Sequence, residues 1–248
     1  PGQRIAGEWR FHQTEITHWL EQDLRTMGEN ELAVVESQHT NAQDGGSPIA
    51  QFMSPDTCEA CLDAATKPSV LRELINVAGR TWHVWDAPAI LKAIQEREEV
   101  MSTAFDNGVA VPHPRNPLSG ALGQTTIAFG RATSGIPFGG PRRSLTDLFF
   151  LVLAKDSRTH LRILARIARL LQVPDFTQHL RQIDDSADAA DLFCKLTQAL
   201  NSIDGGSKSN RTDFKLDAPT EAKPAVRNHL RRWAAPNAAR EFRTTAAT

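Results

Sequence analysis

The chain has 248 residues, a formal net charge of −1 and a hydrophobic content of 40%. This length suits one large domain or one ordinary domain with extensions, and the near-zero charge excludes a bulk preference for nucleic acid or anionic membranes. The longest apolar run covers residues 148–154, which is too short to span a bilayer, and no secretory signal is recognisable. The odd count of three cysteines argues for a reducing compartment. We therefore expect a cytoplasmic protein without membrane insertion.

Residues 1–27 predict a hairpin followed by a helix. The stretch RIAGEWRF alternates around Gly7, and Thr14 is the expected N-cap of a helix that runs to Leu24. The longer stretch GQRIAGEWRFHQTEITHWLE resembles the last part of excisionase-type helix-turn-helix modules, in which a wing leads into a closing helix. The alternative is a terminal hairpin and helix that only pack on a neighbouring element.

Two polar segments flank the central part of the chain. Residues 28–54 contain Gly-Gly-Ser-Pro near their middle and predict a linker. Residues 204–248 predict a flexible basic tail, with nine basic and four acidic residues from Ser207 onward. Such a tail is able to contact phosphate backbones, although a solvated segment of this composition usually has no such role.

The central residues 55–203 alternate helical and strand patterns, which indicates a layered α/β domain. The helical stretches have apolar residues at three- and four-residue spacing, and the strands are short runs rich in β-branched and aromatic residues. We predict helices over 69–79, 86–99, 156–173, 175–183 and 186–200, and strands over 108–112, 124–130 and 145–154.

Cys58 and Cys61 have the C-x-x-C spacing of some metal and redox sites. No second cysteine pair and no nearby histidine completes a zinc site, and the preceding SPDT is not the strand that a thioredoxin-like motif requires. The chain also lacks a Walker-type glycine loop. We therefore expect no metal and no cofactor.

The stretch that carries a recognisable chemistry surrounds His113, which lies between two prolines after the predicted strand 108–112. Prolines restrict the backbone on either side of it, and loop residues at strand ends are frequent sites of binding and catalysis. His160 falls in the first turn of its predicted helix if Ser157 is the cap, where free N–H groups and the helix dipole favour an anion.

Three further residues make these histidines a candidate receptacle for a phosphoryl group. Arg97 lies on the last turn of its predicted helix, and Ser102 and Thr103 supply hydroxyls just before His113. Neutral imidazole is a competent nucleophile near pH 7, and a guanidinium offers a fork of donors to phosphoryl oxygens. The residues alone leave a second interpretation open, in which His113 is a loop histidine bonded to backbone and His160 is an ordinary helix-terminal residue.

The stretch REEVMSTAFDNGVAVPHPR, residues 97–115, resembles the motif of the enzyme IIA domains of the mannitol/fructose class in the bacterial phosphoenolpyruvate-dependent sugar phosphotransferase system, especially their nitrogen-regulatory members. The resemblance covers about residues 50–203. It implies that His113 is the phosphorylated histidine, that His160 in the sequence THL is the second active-site histidine, and that Arg97 is the family's arginine. It also implies a mixed β-sheet flanked by helices on both sides, with polar extensions at both ends.

Two positions differ from the usual family pattern, and a third matches only the regulatory members of the family. Pro114 stands where the family usually has glycine after the phosphohistidine, and Ala104, followed by Phe105, stands where glycine usually follows Ser-Thr. These changes could stiffen or crowd the site. Asn107 replaces the carboxylate of some sugar-specific members, which favours regulation over sugar uptake.

The first hypothesis is a cytoplasmic phosphocarrier domain. It would accept a phosphoryl group on His113 from the phosphocarrier protein HPr or its nitrogen-related homologue, and pass it to an enzyme IIB or signal to a regulatory target. The second hypothesis is a DNA-binding regulator in which the phosphotransferase-like domain is a sensor. The third is a degenerate domain retained for protein contacts.

Overall fold

The computed structural model describes residues 2–39 and 48–205. At its centre is a four-stranded mixed sheet with the strand order β3-β5-β6-β4. β5 and β6 are antiparallel neighbours, whereas β3 runs parallel to β5 and β4 runs parallel to β6. The strands are β3 (Cys58–Glu59), β4 (Val109–Ala110), β5 (Thr126–Ile136) and β6 (Thr146–Leu153).

Strand β6 explains why helices cover both faces of the sheet. Its sequence TDLFFLVL is buried at every position except the half-buried Asp147, as expected for a strand covered on both sides. Alternate residues of β6 enter two separate apolar cores. Phe150 belongs to the core that contains Ile163 and Phe193, and Phe149 to the core that contains Leu74. The predicted mixed sheet between two helical layers is therefore confirmed.

The helical layers consist of short amphipathic helices. One layer contains α4 (Lys67–Gly79) and α5 (Ala87–Val100), and residues of both helices belong to one apolar core. The other layer contains α6, α7 and α8. Buried apolar residues of these helices contribute to the core that contains Ile163 and Phe193. Their bounds are Ser157–Leu170, Phe176–Gln182 and Ser186–Gly205. In the part of the chain that the structure describes, no helix combines the length and hydrophobicity needed to cross a bilayer.

The two helices that carry site residues, α5 and α6, both begin at an aspartate N-cap. Asp86 caps α5 by accepting a hydrogen bond from the Ala89 amide at 3.0 Å. In α6 the cap is Asp156, which accepts from the Thr159 amide at 2.8 Å, and not Ser157. Aspartate is a strong N-cap, so Ser157 is already the first helical residue. His160 is thereby the fourth helical residue, and its own N–H donates to the Asp156 carbonyl at 3.0 Å.

The N-terminal residues form a hairpin and a helix. Strands β1 (Gln3–Ile5) and β2 (Glu8–Arg10) pair antiparallel, and the turn between them contains Gly7 with a φ of 85°. Helix α1 covers Gln13–Asp23, so it begins after His12 and not at the expected cap Thr14. The hairpin and the helix agree with the sequence pattern. They belong to the same compact unit as the central domain, and every residue of β1 and β2 is exposed.

The segment expected to be a linker contains a helix that packs on the domain. Helix α2 covers Glu29–Gln38, with Leu32 and Val35 buried in a core, and a short helix α3 covers Pro48–Phe52. The third buried residue of α2, Glu36, is charged and pairs with arginines of α6. The polar composition that suggested a linker therefore reflects a helix whose buried face is partly ionic. Of the predicted basic tail, residues 206–248 lie outside the described residues.

Candidate functional site

His113 is held at the edge of the sheet, three residues after β4. The Val152 amide donates to the Pro112 carbonyl at 3.0 Å, so the chain is still tied to β6 immediately before the histidine. Nδ1 of His113 lies 2.7 Å from the carbonyl oxygen of Val111. Because a carbonyl oxygen only accepts, this hydrogen bond assigns the proton of the neutral ring to Nδ1 and leaves the lone pair on Nε2.

His160 and Arg97 reach the same place from the two helical layers. The rings of His113 and His160 have centroids 5.0 Å apart and meet edge to face. Arg97, on the last turn of α5, is fixed by the hydrogen bond that its Nη1 donates to the Met101 carbonyl at 2.9 Å. All three side chains are buried, His113 and His160 at 3% exposure and Arg97 at 2%. The structure thus brings together three of the five residues that the sequence put forward.

A fourth member of the cluster, Glu21 of α1, was not anticipated. Its Oε1 accepts a hydrogen bond from Nε2 of His160 at 2.8 Å. Its Oε2 lies 3.4 Å from Nε2 of His113 and 3.8 Å from Nε of Arg97. The local sequence gives no signal for it, because the structure alone shows that Glu21 lies with Thr17 on the buried face of α1. A carboxylate on that face requires a charged or hydrogen-bonding partner.

Burial and hydrogen bonding act on the protonation of these groups in opposite senses. Burial alone would raise the pKa of Glu21, but the hydrogen bonds and charges of His113 and His160 outweigh it and hold that pKa well below its usual range. Burial lowers the pKa of His113, with Glu21 opposing the shift. The site therefore favours the ionised form of Glu21 and the neutral form of His113.

The cluster opens into a small pocket lined by Leu24, Phe105 and Leu164 together with the guanidinium of Arg25. Arg25 donates to the Ser102 carbonyl at 3.0 Å, and its guanidinium lies 4.9 Å from the centroid of the Phe105 ring. Burial and the neighbouring Arg97 lower the pKa of Arg25. Two guanidinium groups beside two imidazoles favour an anion at this position.

Among the residues that the structure describes, the ligand atoms of Glu21, His113 and His160 lie within 4.8 Å of one another, so these three side chains could hold a metal ion. Arg97 stands against that use, because its guanidinium lies 3.8 Å from the same carboxylate and would repel a divalent cation. Cys58 and Cys61 are elsewhere, at β3, and both are free thiols.

The structure does not bring the hydroxyls of Ser102 and Thr103 to the histidines. Ser102 Oγ donates to the Phe138 carbonyl at 2.9 Å. The hydroxyl of the fully buried Thr103 bonds to the carboxylate of Glu98, which also pairs with Lys67 at 2.7 Å. Both side chains hold the connection between α5 and β4. Their contact with phosphate stays a prediction, because both hydroxyls have other partners in this structure.

The fold has counterparts among solved structures. It is similar to the nitrogen regulatory protein IIA-Ntr of Neisseria meningitidis, with a TM-score of 0.53 and 20% identity over 58% of this chain and 98% of that chain. It is also similar to IIA mannitol of Escherichia coli, with a TM-score of 0.50 and 18% identity over 57% and 98% of the two chains. These structures define the class of the fold as that of the phosphotransferase enzyme IIA domains.

The sequence comparison establishes the family. The family described as "Phosphoenolpyruvate-dependent sugar phosphotransferase system, EIIA 2" matches residues 51–195, and the chain belongs to it. A nitrogen regulatory protein of Bradyrhizobium diazoefficiens is 32% identical over 141 residues, which cover 56% of this chain and 90% of that protein.

Two further relatives differ in how much of their length the chain spans. A nitrogen regulatory protein of Pseudomonas aeruginosa is 29% identical over 140 residues, which cover 54% of this chain and 86% of that protein. The fructose-specific EIIABC component of Bacillus subtilis is 25% identical over 147 residues, which cover 58% of this chain and 23% of that longer protein.

Proposed function

We propose that this chain accepts a phosphoryl group on Nε2 of His113 and transfers it or signals through it. The observation that carries the proposal is the 2.7 Å contact between His113 Nδ1 and the Val111 carbonyl. That contact fixes the tautomer and turns Nε2 toward His160 and Arg97, the two side chains that can bind phosphoryl oxygens. A nucleophile with a lone pair, aimed at hydrogen-bond donors and positive charge, is what phosphoryl transfer requires.

The transfer step balances without any further reactant. Nε2 of His113 supplies the electron pair of the new N–P bond, and the N–P bond of the donor phosphohistidine breaks with its electron pair returning to the donor imidazole. The proton on Nδ1 stays there, so the phosphorylated ring of His113 carries a positive charge. The hydrogen bond from Nδ1 to Val111 stabilises that charge.

His160 and Arg97 act on the transferred group. In this structure Nε2 of His160 donates to a carboxylate oxygen at 2.8 Å, and the same N–H is able to donate to a phosphoryl oxygen. Arg97 contributes a positive charge that its bond to Met101 holds in position. Fixed donors and charges that face the equatorial oxygens lower the barrier because they need no reorganisation during the reaction.

The phosphoryl donor in this proposal is the phosphocarrier protein HPr or its nitrogen-related homologue, in the cytoplasm. The receiver is an enzyme IIB or a regulatory target. The names of the relatives support both outputs, since two of them are nitrogen regulatory proteins and one is a fructose-specific EIIABC component. Asn107, whose Oδ1 accepts from the Val109 amide at 3.3 Å, favours the regulatory output.

The test is phosphoryl transfer from phosphoenolpyruvate through enzyme I and the phosphocarrier protein, followed by intact mass. The unaltered chain and His179→Ala, which changes an exposed histidine of α7, should gain an acid-labile phosphoryl group. His113→Ala should gain none. If the unaltered chain remains unlabelled by a donor that labels a known enzyme IIA domain, the domain is degenerate and its role is contact with partners.

A second candidate function, DNA binding, rests on the hairpin β1–β2 and the helix α1 that follows it. This order of elements is the wing and closing helix of the helix-turn-helix resemblance, and the hairpin leaves Ile5 and Trp9 half exposed. A gel-shift titration of the full chain at several salt concentrations tests it. Specific binding should weaken steeply with salt, and the absence of salt-sensitive binding rejects the DNA-binding role.

A further inference from the structure

We propose that the Glu21 carboxylate occupies the position of the phosphoryl group on His113, so that a docked helix α1 and a phosphorylated His113 exclude each other. The docked N-terminal segment then slows phosphorylation of His113, and its release signals that His113 is phosphorylated. This inference rests on the function proposed above. It assigns to that site a regulation carried by a part of the chain outside the family match, which covers residues 51–195.

The first argument is geometric. The Glu21 carboxylate contacts the three groups that would surround a phosphoryl group, at 2.8 Å from His160, 3.4 Å from His113 and 3.8 Å from Arg97. A phosphorus atom bonded to Nε2 of His113 would lie closer to that nitrogen than the carboxylate oxygen does. Its own oxygens would therefore overlap the carboxylate. The two anions use the same donors and cannot use them at the same time.

The second argument is the charge within the cluster. A phosphoryl group carries about −1.5 to −2 charges near neutral pH, and Glu21 adds a further negative charge in a site where its side chain is 1% exposed. Like charges this close destabilise each other strongly when water is excluded. Arg97 and Arg25 are positively charged groups of the pocket, and the two anions would have to share them.

The third argument is access. His113 is 3% exposed, yet a phosphoryl donor must approach Nε2 in line with the bond that breaks. In this structure the Glu21 side chain lies against Nε2 and blocks that approach. The docked state therefore hinders the approach of a phosphoryl donor.

The fourth argument is that α1 is the element able to leave. Within α1, Thr17 and Glu21 are the buried residues, and Leu20 is partly buried against the core. Apart from the contacts of Glu21, the ion pair of α1 to the domain, Glu15 with Arg115, is half exposed and therefore weak. By contrast α2 is fixed by buried apolar residues and by the buried Glu36. Leu24, directly after α1, is buried in the core, so the movement would end there and release the hairpin together with the helix.

The experiment compares the initial rate of phosphorylation by the phosphorylated phosphocarrier protein in the unaltered chain, Glu21→Gln and Glu8→Gln. Glu21→Gln removes the charge with little change of shape and should raise the rate several-fold. Glu8→Gln is the matched control, because it makes the same substitution in the N-terminal segment at an exposed position of β2, and it should change the rate by less than about twofold. Equal rates in all three proteins, or equal acceleration by both variants, would overturn the proposal.

Hydrogen exchange provides a readout that does not depend on a substitution. Phosphorylation of the unaltered chain should accelerate amide exchange in α1 and leave α2 unchanged, and both helices should keep slow exchange in His113→Ala treated with the same donor. Unchanged exchange in α1 of the phosphorylated chain would reject the displacement while leaving the proposed function intact. If no variant is phosphorylated by a competent donor, the proposed function and this inference both fail.

Discussion

Nη1 of Arg169 lies 2.8 Å from Oε2 of Glu36, and this buried ion pair joins α6 to α2 across 133 positions of the sequence. Arg166 contacts the other oxygen of the same carboxylate. One anion thus serves two guanidinium groups that are both shielded from water.

Replacing Glu36 by glutamine should destabilise the domain by about 3 kcal/mol, since removal of one partner leaves buried charges without compensation. Chemical denaturation measures the free energy of unfolding. The matched control is Glu96→Gln, which breaks a solvent-exposed pair to Lys92 at 3.9 Å and should cost less than about 0.5 kcal/mol. Similar losses in the two variants would mean that the pair at Glu36 contributes no more than a surface contact.

His160 should lower the barrier through the donor on its Nε2. His160→Ala is expected to reduce the rate of His113 phosphorylation by about 10²-fold or more, the effect of removing one preorganised donor. His160→Gln retains an N–H of similar reach and should lose less. Both variants are best measured by intact mass in the Glu21→Gln background, so that docking of α1 does not enter the comparison. Equal rates for His160→Ala and His160→Gln would assign His160 a packing role.

Acid should weaken the folded state through His113 and Glu21. The pKa of each group is lower in the folded chain than in the unfolded chain, so the unfolded state binds more protons and stability falls as the pH falls. For His113 the loss begins below about pH 6.5, the ordinary value for histidine, and for Glu21 below about pH 4.3. His160, His18 and the guanidinium groups of Arg25 and Arg97 face the same carboxylate or ring.

The slope of the free energy of unfolding between pH 7 and pH 5 measures this effect, and one proton contributes at most about 1.4 kcal/mol per pH unit. His113→Gln should reduce the slope, whereas His179→Gln should leave it unchanged. A steeper slope in His113→Gln would mean that the pKa of His113 is raised by folding, the opposite of the expected sign.

Gly108 should be intolerant of a side chain. Its φ is +83°, and a Cβ there would lie 2.6 Å from Nη2 of Arg181 and 2.9 Å from Oδ1 of Asp147. Gly108→Ala should destabilise the domain by about 1–3 kcal/mol, because the conformation and the contacts both resist it. Gly79→Ala, at the end of α4 with no atom within 4 Å of its Cβ, should be neutral or slightly stabilising. Thermal or chemical denaturation of the two variants checks the contrast in sign.

The sequence predicted the central domain better than the N-terminal helices α1 and α2, for physical reasons. Strand β6 and the helix α5 are recognisable from local sequence, through a continuous apolar run and through the cap Asp86. The role of Glu21 is not recognisable from local sequence. An amphipathic pattern shows which face of a helix is buried, but it does not show which residues that face contacts. Helix α2 was missed for the related reason that its burial depends on arginines far along the chain.

The residues of the candidate site also differ in how far the sequence predicted their positions. His113, His160 and Arg97 could be proposed to lie together because their motifs resemble a known family, and the structure brings them into one cluster. The directions of the Ser102 and Thr103 hydroxyls depend on Phe138 and Glu98, which local sequence does not reveal.

One part of the chain holds His113 in position, and a different part covers it. The imidazole is fixed by its own backbone at Val111 and by the attachment of Pro112 to β6, whereas the carboxylate that covers it belongs to α1, an element outside the sheet. Under the two proposals made above, substitutions that change how firmly α1 docks adjust how often His113 is available to a donor and leave the transfer step itself unaltered. The sensitivity of the domain to its donor can then change while every residue that takes part in the reaction stays the same.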